Sequence, residues 1–230
     1  METLKLHLNQ IQRVIIVGSS GHAKVLVDIF EKAGGFEILG FIDSYRAKGE
    51  KTLGYEVLGS EDDISFILAE NSGCKVFIAI GDNWTRKLIY DRLKSSIPSV
   101  EFATAVHPSA QIGKDVNIGN GVAIMAGAVI NSCTEVGDFA IINTNASLDH
   151  DCKMDAFSSL APGVTTGGGV TIGAFSAIGI GANISHRICI GSHTVIGAGS
   201  LLLESCADQF LLFGVPAKVI RSRAIGEKYL

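Results

Sequence analysis

The sequence predicts two fold classes in one chain: a Rossmann-like α/β domain with a small parallel sheet at residues 1–100, then an all-β left-handed parallel β-helix at residues 101–230. Three observations predict this arrangement. A glycine-rich turn separates an apolar strand from an amphipathic helix near the start of the chain. Apolar residues recur at every sixth position in the second half. The composition, with 27 glycines and only 18% charged residues, is typical of a repeat.

The first domain is predicted from alternating strand and helix patterns. Strand, helix, strand, strand and helix patterns follow one another at residues 13–17, 23–33, 38–42, 75–80 and 84–93. Strands that are connected through helices pair into a parallel sheet. Asp43 and Gly81 follow the second and third strands, at the sheet edge where ligands bind in this class of fold.

The turn Gly18-Ser-Ser-Gly-His22 predicts a nucleotide site. Backbone N–H groups at the start of a helix bind phosphate, and Asp43 at the end of the second strand is placed to bind a ribose or a base. The dinucleotide fingerprint needs three glycines, and Ile16 stands where the first should be, which disfavours NAD. A turn that serves only strand–helix packing is the alternative.

The β-helix is predicted by a six-residue period from Ile112 to Leu202, in which only Thr166 breaks the apolar series. This period fits neither a helix nor a long alternating strand, but it suits short strands joined by tight glycine corners. It resembles the repeat of the hexapeptide acyltransferases, whose three-sided coils would give about five coils here. Residues 97–108, with two prolines, are interpreted as the connection between the domains. The alternative is another all-β fold with an accidental period.

Composition argues against several partners. The net charge is -4 and no basic run occurs, so nucleic acid is not an expected partner. No apolar stretch is long enough to span a bilayer and no signal segment is recognised, so we expect a cytoplasmic protein without a membrane partner. The five cysteines are odd in number and form no CxxC pair, so neither a disulfide framework nor a thiolate metal site is expected.

His150 is the candidate general base. It lies two positions after the core residue Leu148, so its side chain is expected on the outer surface near a corner, where Asp151 can orient it and raise its basicity. Imidazole titrates in the range that proton removal near neutral pH requires. The alternative is a solvated surface histidine.

Motifs in order along nearly the whole chain resemble one family. They are Gly18-Ser-Ser-Gly-His22, Gly40-Phe-Ile-Asp43, Ile142-Asn-Thr, His150-Asp-Cys152, Ala161-Pro-Gly163 and Gly214-Val-Pro-Ala-Lys218. They are similar to those of the nucleotide-sugar acetyltransferases of the sialic acid and bacillosamine pathways (NeuD/PglD type). The resemblance implies His150 as base and Asp151 as its partner, and acetyl-CoA bound between the subunits of a homotrimer. It also implies that the nucleotide-sugar is bound by Gly18, Ser20, Gly21, His22, Asp43, Ser44 and Gly81.

The expected coenzyme contacts include a departure from the family. A second family histidine that meets acetyl-CoA is matched here by Ser159, whose hydroxyl is still able to donate a hydrogen bond. A pantetheine chain along a solenoid should touch residues eighteen positions apart. Pro162, Ile180 and Ala198 form such a column, and Ile180 and Ala198 are expected beside the coenzyme; ordinary coil packing is the alternative.

The implied activity is N-acetylation of a UDP-linked 4-amino-4,6-dideoxy sugar for bacterial surface glycans or glycoproteins. GDP- and dTDP-linked amino sugars come next, and O-acetylation of sialic or nonulosonic acids is the alternative, so the choice between amine and hydroxyl stays open. The oxyanion donor is expected in the run Gly167-Gly168-Gly169, because Gly168 is one coil from His150.

Two other function classes are considered. Gamma-type carbonic anhydrases share the β-helix and bind metal through three histidines; His150 and His186 match two, but Gly191 occupies the third place and His193 falls two residues later, so no metal is expected. A catalytically silent trimeric scaffold that binds nucleotide-sugar is the other. The segment 209–230 is expected to cap the open end of the coil, where Phe210, Leu211, Leu212 and Val219 would bury the last coil.

Overall fold

The computed structural model describes residues 11–229, so residues 1–10 of the expected first domain and Leu230 lie outside the described residues. The α/β part matches the predicted order and adds a short hairpin and a helix that the sequence did not reveal. Its elements are β1 Gln12–Val17, α1 Gly21–Ala33, β2 Phe36–Ile42, β3 Lys51–Thr52, β4 Tyr55–Gly59, α2 Ile64–Glu70, β5 Lys75–Ile78 and α3 Asn83–Ser96.

The sheet of this part has the strand order β3-β4-β2-β1-β5. Only the β3–β4 pair is antiparallel. The central strand β1 is buried on both faces at Val14 to Val17, which is why it has an uninterrupted apolar sequence. Helix α1 packs its apolar face, including Leu26 and Phe30, on the sheet. The C-terminal ends of β1, β2 and β5 therefore lie along one edge.

The second part is built from two-residue strands at six-residue intervals. They are β6 Ala105–Val106, β7 Gln111–Ile112, β8 Asn117–Ile118, β9 Ala123–Ile124, β10 Val129–Ile130, β11 Glu135–Val136, β12 Ile141–Ile142, β13 Ser147–Leu148, β14 Lys153–Met154, β15 Ser159–Leu160, β16 Thr165–Thr166, β17 Thr171–Ile172, β18 Ala177–Ile178, β19 Asn183–Ile184, β20 Cys189–Ile190, β21 Val195–Ile196 and β22 Leu201–Leu202.

These strands stack into three parallel sheets, so the predicted left-handed β-helix is confirmed. Face 1 starts at β6, face 2 at β7 and face 3 at β8, and each face takes every third strand from there. The corners are named by the faces they join: corner 1/2, corner 2/3 and corner 3/1. The coil begins one strand before Ile112. Prolines around residues 97–108 suggested a linker, but Ala105 N–H donates to Val122 O at 2.8 Å and starts the first coil.

The two parts share one continuous core rather than meeting at a thin joint. Ala105, Ala123 and Met125 of face 1 pack in the same buried cluster as Phe30 of α1. At corner 3/1, the rings of Phe139, Phe157, Phe175 and His193 stack at centroid distances of 4.9, 5.5 and 4.6 Å. Tyr90 and Trp84 of α3 pack against this ladder.

A buried arginine fixes the joint between the two parts. Arg86 of α3 is 1% exposed and donates to the carbonyls of Ile80, Gly81, Phe139 and Phe157 and to Asn83 Oδ1. Burial lowers the pKa of its guanidinium to about 10. These bonds hold the loop after β5 against two consecutive turns of corner 3/1.

The C-terminal segment only partly follows the expected cap. Strands β23 Phe210–Gly214 and β24 Ala217–Ser222 form a hairpin on face 1, and Leu212 is buried. Phe210 and Leu211 are half-buried, whereas Val219 is 54% exposed, so the expectation that Val219 helps to cover the last coil is wrong: it lies on β24, which pairs with β23 at the edge of face 1. The chain then returns to the α/β part, where Gly226 packs on the Trp84 indole. Within residues 11–229, no helix is both long and apolar enough to cross a bilayer.

Candidate active site

His150 lies in an open groove at corner 2/3, as its place in the repeat predicts. The groove is lined by His150, Asp151, Gly168, Gly169, His186 and Arg187. His150 Nδ1 lies 2.6 Å from Asp151 Oδ2, and both side chains are more than half exposed. A carboxylate at this distance favours the tautomer that carries the proton on Nδ1. Nε2 is therefore the nitrogen left to accept a proton from a substrate.

Acidic neighbours make His150 a stronger base. The hydrogen bond to Asp151 raises the pKa of the His150 ring, and the charge of Asp149 adds to this effect. Asp149 is itself held in place, because its carboxylate accepts from Asn131 Nδ2 and from the His150 N–H. These two bonds lower the Asp149 pKa. The corner that carries the base is thus ordered by its own polar groups.

Thr166, the residue that breaks the apolar series, is hydrogen-bonded to this corner from inside the coil. It is 4% exposed inside the coil, and its hydroxyl accepts the Asp149 N–H at 3.1 Å. Its Oγ1 also lies 3.7 Å from Cys152 Sγ. A buried hydroxyl costs stability unless it is hydrogen-bonded, and here the bond is made to the loop that precedes His150.

Gly168 leaves room for the His150 ring. A Cβ at this position would lie 2.6 Å from both Cε1 and Nε2 of His150. The Gly168 N–H donates to His186 Nδ1 at 3.1 Å. The same glycine therefore contacts both His150 and His186, which lie two coils apart. His186 therefore belongs to the groove and not merely to the same corner.

The expected oxyanion donor is already engaged in this structure. Gly167 N–H donates to Ile184 O, Gly168 N–H to His186 Nδ1, and Gly169 N–H to His150 O. The run therefore has no unoccupied N–H group in this structure, and the expectation that it supplies the oxyanion donor stays a prediction. An oxyanion at Gly168 would have to displace the His186 ring.

The glycine-rich turn and Asp43 meet at the edge of the sheet. Asp43 Oδ2 accepts from the Ser19 N–H at 2.9 Å and from Ser19 Oγ at 2.5 Å, and Oδ1 accepts from the Tyr45 N–H at 2.9 Å. The sequence singled out Ser20, but Ser19 makes this contact. Arg46, which the sequence also did not reveal, places Nη1 3.4 Å from Ser19 Oγ. A guanidinium beside the turn suits an anionic ligand.

The other predicted nucleotide-site residues surround this turn. Gly18 has φ +91°, and a Cβ there would lie 2.8 Å from Ile80 Cδ1, so only glycine lets β1 approach the end of β5. Ser20 is exposed and its side chain does not cap α1, although it occupies the N-cap. Ser44 Oγ accepts from the Glu61 N–H. The Gly81 carbonyl accepts hydrogen bonds from Arg86 and Tyr229, so this oxygen helps to hold the joint between the two parts of the chain.

A cavity of about 620 Å³ lies between the start of α1 and corner 1/2 of the coil. The α/β part contributes Gly21, His22, Val25 and Gly81 to its wall. The open space next to Gly21, where an added Cβ would meet nothing within 4 Å, faces this cavity. His22, expected to contact the nucleotide-sugar, thus shares a cavity with the coil residues expected to contact the coenzyme.

His22 is neutral in this wall. Burial, and then the charge of Arg86, lower its pKa to about 4. Its Nε2 is buried and has no hydrogen-bond partner within the described part of the chain. A buried polar nitrogen without a partner costs free energy, and a ligand in the cavity would satisfy it.

All three predicted coenzyme residues line the coil side of this cavity. Ile180 and Ala198 lie exposed at corner 1/2, one coil apart, and Ile180 is 62% exposed despite its apolar side chain. Ser159 projects from face 1 and is 9% exposed. Tyr229 also lines the wall, from the far end of the chain, and no sequence pattern indicated it.

The cavity and the His150 groove lie on different corners of the coil. Cavity residues such as Ala198 follow face 1 strands, whereas His150 follows a face 2 strand, so face 2 separates them. Within residues 11–229 no three His, Cys, Asp or Glu side chains form a group that could hold a metal ion. His193 stacks on Phe175 at corner 3/1, away from His150 and His186.

Comparison with known proteins identifies the family. The model of the PglD N-terminal domain matches residues 13–93. PerB from Caulobacter crescentus, solved in complex with CoA and GDP-perosamine, is 36% identical with a TM-score of 0.84, covering 91% of this chain and 97% of that chain. The chain belongs to the PglD-type sugar acetyltransferases. The family, the fold class and the enzyme class that the sequence predicted are thereby confirmed.

A second solved structure and three relatives found by sequence also match the chain. The acetyltransferase domain of PglB from Neisseria gonorrhoeae, solved with acetyl coenzyme A, is 30% identical with a TM-score of 0.83, covering 91% of this chain and 99% of that chain. The GDP-perosamine N-acetyltransferase of Escherichia coli is 27% identical over 66% of this chain and 67% of the relative. The UDP-N-acetylbacillosamine N-acetyltransferase of Bacillus subtilis is 31% identical, and the match spans 52% of its length. An uncharacterized mimivirus protein is matched over only 24% of its length.

Proposed function

We propose that this chain transfers the acetyl group of acetyl-CoA to the amine of a nucleotide-linked amino sugar, with His150 as general base. The observation that carries the proposal is the His150 ring itself. Its Nδ1 is held by Asp151 at 2.6 Å, and this leaves Nε2 to accept a proton in an open groove. The relatives named for perosamine and bacillosamine are N-acetyltransferases, which supports an amine acceptor.

The nucleotide binds at the glycine-rich turn in this proposal. Ser20 and Gly21 bring backbone N–H groups to the phosphates at the start of α1, whereas Gly18, whose N–H donates to Ile42 O at 2.8 Å, shapes the turn around them. Asp43 and Ser44, at the end of β2, contact the ribose or the base, and Arg46 adds positive charge beside them. The sugar then extends from the turn past His22 and Gly81 into the cavity.

Acetyl-CoA lies along corner 1/2 in this proposal. Its pantetheine chain passes the apolar column of Ile180 and Ala198, and the thioester reaches inward toward Ser159. The exposure of Ile180 supports this placement, because burial of such a side chain by a ligand is favourable by about 25 cal/mol per Å². The amine and the thioester carbon are then held in one cavity, which removes most of the entropic cost of their encounter.

Proton removal is the contribution of His150. As the amine nitrogen attacks the thioester carbon, His150 Nε2 accepts its proton, and Asp151 stabilises the imidazolium that forms. The C–S bond then breaks, and the proton on His150 is available to the CoA thiolate. Each of these steps needs Nε2 within hydrogen-bond reach of the amine.

In this proposal, assembly into a homotrimer brings His150 Nε2 within hydrogen-bond distance of the substrate amine. Face 2 separates the groove and the cavity of one chain, whereas a neighbouring coil in a three-fold assembly can bring its own His150 to the cavity. Each active site thus lies between two subunits. We place the enzyme in the cytoplasm, where acetyl-CoA is made, and its product in bacterial surface glycan synthesis.

The acceptor is tested by release of free thiol from acetyl-CoA with a panel of UDP-, GDP- and dTDP-linked amino sugars and free sialic acids. Turnover is expected on one nucleotide-linked amino sugar, and His150→Ala should lower kcat on it by roughly 100- to 10,000-fold while the nucleotide-sugar still binds. Turnover on sialic acids instead would favour O-acetylation. Binding without turnover on any acceptor would favour the scaffold reading.

A further inference from the structure

Tyr229 is the one wall residue of the cavity that comes from the C-terminal segment beyond β24 among the described residues. Its hydroxyl lies 3.3 Å from Ser159 Oγ, 3.2 Å from the Asn83 N–H and 3.3 Å from the Gly81 carbonyl. Seventy positions separate it from Ser159 in the sequence. The contact therefore depends on the tail folding back over the joint between the two parts.

The groups around the Tyr229 hydroxyl are firmly held. Asn83 is 1% exposed; its Nδ2 donates to Ser176 O at 3.1 Å and its Oδ1 accepts from Arg86 at 2.7 Å. Arg86 also bonds the Gly81 carbonyl at 3.0 Å. The phenol oxygen is thus placed by a buried network that has few alternative arrangements.

The tail that carries Tyr229 is also clamped. Glu227 pairs with Arg221 at 2.5 Å and accepts the Ala224 N–H, and these bonds lower its pKa to about 2. Arg223 donates to the Glu227 carbonyl. Gly226 lies so close to the Trp84 indole that a Cβ would come within 2.7 Å of Nε1. These contacts fix the position of the turn before Tyr229 relative to α3.

The Tyr229 hydroxyl has one proton to donate and two acceptors within reach. The Asn83 N–H donates to the phenol oxygen, so the phenol proton goes either to the Gly81 carbonyl or to Ser159 Oγ. When Tyr229 donates to Ser159, the Ser159 proton is left for a third group. The cavity is the space that Ser159 faces, and an acceptor there completes the chain of hydrogen bonds.

We propose that Tyr229 is a positioning residue that orients the Ser159 hydroxyl as a donor to the acyl carbonyl oxygen of the thioester. The proposal rests on the acetyl-CoA site proposed above. The Ser159 hydroxyl can rotate about its C–O bond, so alone its proton would have no preferred direction. A hydrogen bond donated by the Tyr229 phenol occupies one lone pair of Ser159 Oγ and directs the Ser159 proton toward the cavity.

Binding measurements separate this role from a structural one. The variants are Tyr229→Phe, which keeps the ring and removes only the hydroxyl, Ser159→Ala, and the double variant. The matched control is Tyr55→Phe, because Tyr55 donates to Glu31 on the exposed surface of the α/β part. The probes are CoA, which has no acyl carbonyl, and a ketone analogue of acetyl-CoA with a methylene between sulfur and carbonyl. Calorimetry gives the Kd of each, and melting curves confirm folding.

Tyr229→Phe is expected to weaken the ketone analogue roughly three- to tenfold and to leave the Kd of CoA unchanged. The double variant should bind the analogue no more weakly than Ser159→Ala, since the two hydroxyls act as one unit. Tyr55→Phe should match the wild type with both probes. An equal loss for CoA and the analogue, no loss for either, or losses that multiply in the double variant would overturn the proposal.

The outcome is independent of the acceptor. Binding of the analogue needs no turnover, so the hydroxyl pair is tested even if no sugar in the panel is acetylated. If neither CoA nor the analogue binds the wild type, the acetyl-CoA site proposed for the cavity is wrong, and this inference falls with it.

Discussion

The cavity at corner 1/2 and the groove at corner 2/3 are built on the same six-residue repeat but differ in the side chains that line them. The cavity is mostly apolar, is lined by both parts of the chain, and contains a nearly buried Ser159 and a neutral His22. The groove is open to water, and its His150 and Asp151 side chains are 61% and 65% exposed. One corner is suited to hold ligands and the other to exchange a proton.

If the function proposed above is correct, this difference means that a single chain holds two halves of an active site. A base acts on an amine only within hydrogen-bond reach, and electrostatic effects strengthen when water is excluded. Neither condition is met at His150 in one chain. A second subunit that covers the groove with its own cavity would meet both, and the predictions below test the two halves separately.

Among substitutions that keep the His150 ring, the largest effect is expected from Gly168→Ala. The new Cβ would lie 2.6 Å from Cε1 and Nε2 of His150, so the ring must move away from its position beside Asp151. A displacement of about 1 Å in a catalytic group costs on the order of 100-fold in kcat. The Kd of CoA, measured by calorimetry, should change much less than kcat, because Gly168 does not line the cavity of its own chain. A kcat near the wild-type value would show that the His150 ring position does not matter.

A smaller effect is expected from Asp151→Asn, and it depends on pH. Catalysis needs the neutral His150 ring, so activity is lost as pH falls through the His150 pKa. Asp151 raises that pKa, and its replacement lets the pKa fall, although Asp149 keeps part of the effect. The acidic limb of the kcat profile should therefore move to lower pH, while kcat on the plateau drops roughly three- to tenfold. An unmoved limb would assign the titration to another group.

The repeat made the coil predictable from sequence. Most six-residue units bury two side chains, such as Ala146 and Leu148, and turn one corner, so burial, strand position and the outward direction of His150 follow from local spacing. The strand–turn–helix at Gly18 is equally local. Thr166 shows the limit within the repeat: its break in the apolar series was visible, but its bond to the Asp149 N–H was not.

Contacts between the two parts could not be predicted in the same way. Arg86 and Tyr229 acquire their roles only when α3 and the tail pack on the coil. No period relates these residues, and a helix residue such as Arg86 reads as an ordinary surface charge. Ser19 and not Ser20 donates to Asp43, and the order of residues alone does not reveal which of the two hydroxyls points toward the end of β2.

Mixed trimers test most directly whether each site is shared between subunits. His150→Ala removes the base, and Ala198→Trp fills the cavity, so either variant alone should be inactive in the thiol-release assay. Co-expression with two different tags and purification on both yields trimers that contain both variants. Each such trimer has one intact groove facing one intact cavity, so about one third of the wild-type activity should return. Mixed trimers as inactive as their parents would contradict the account and place the whole site within one chain.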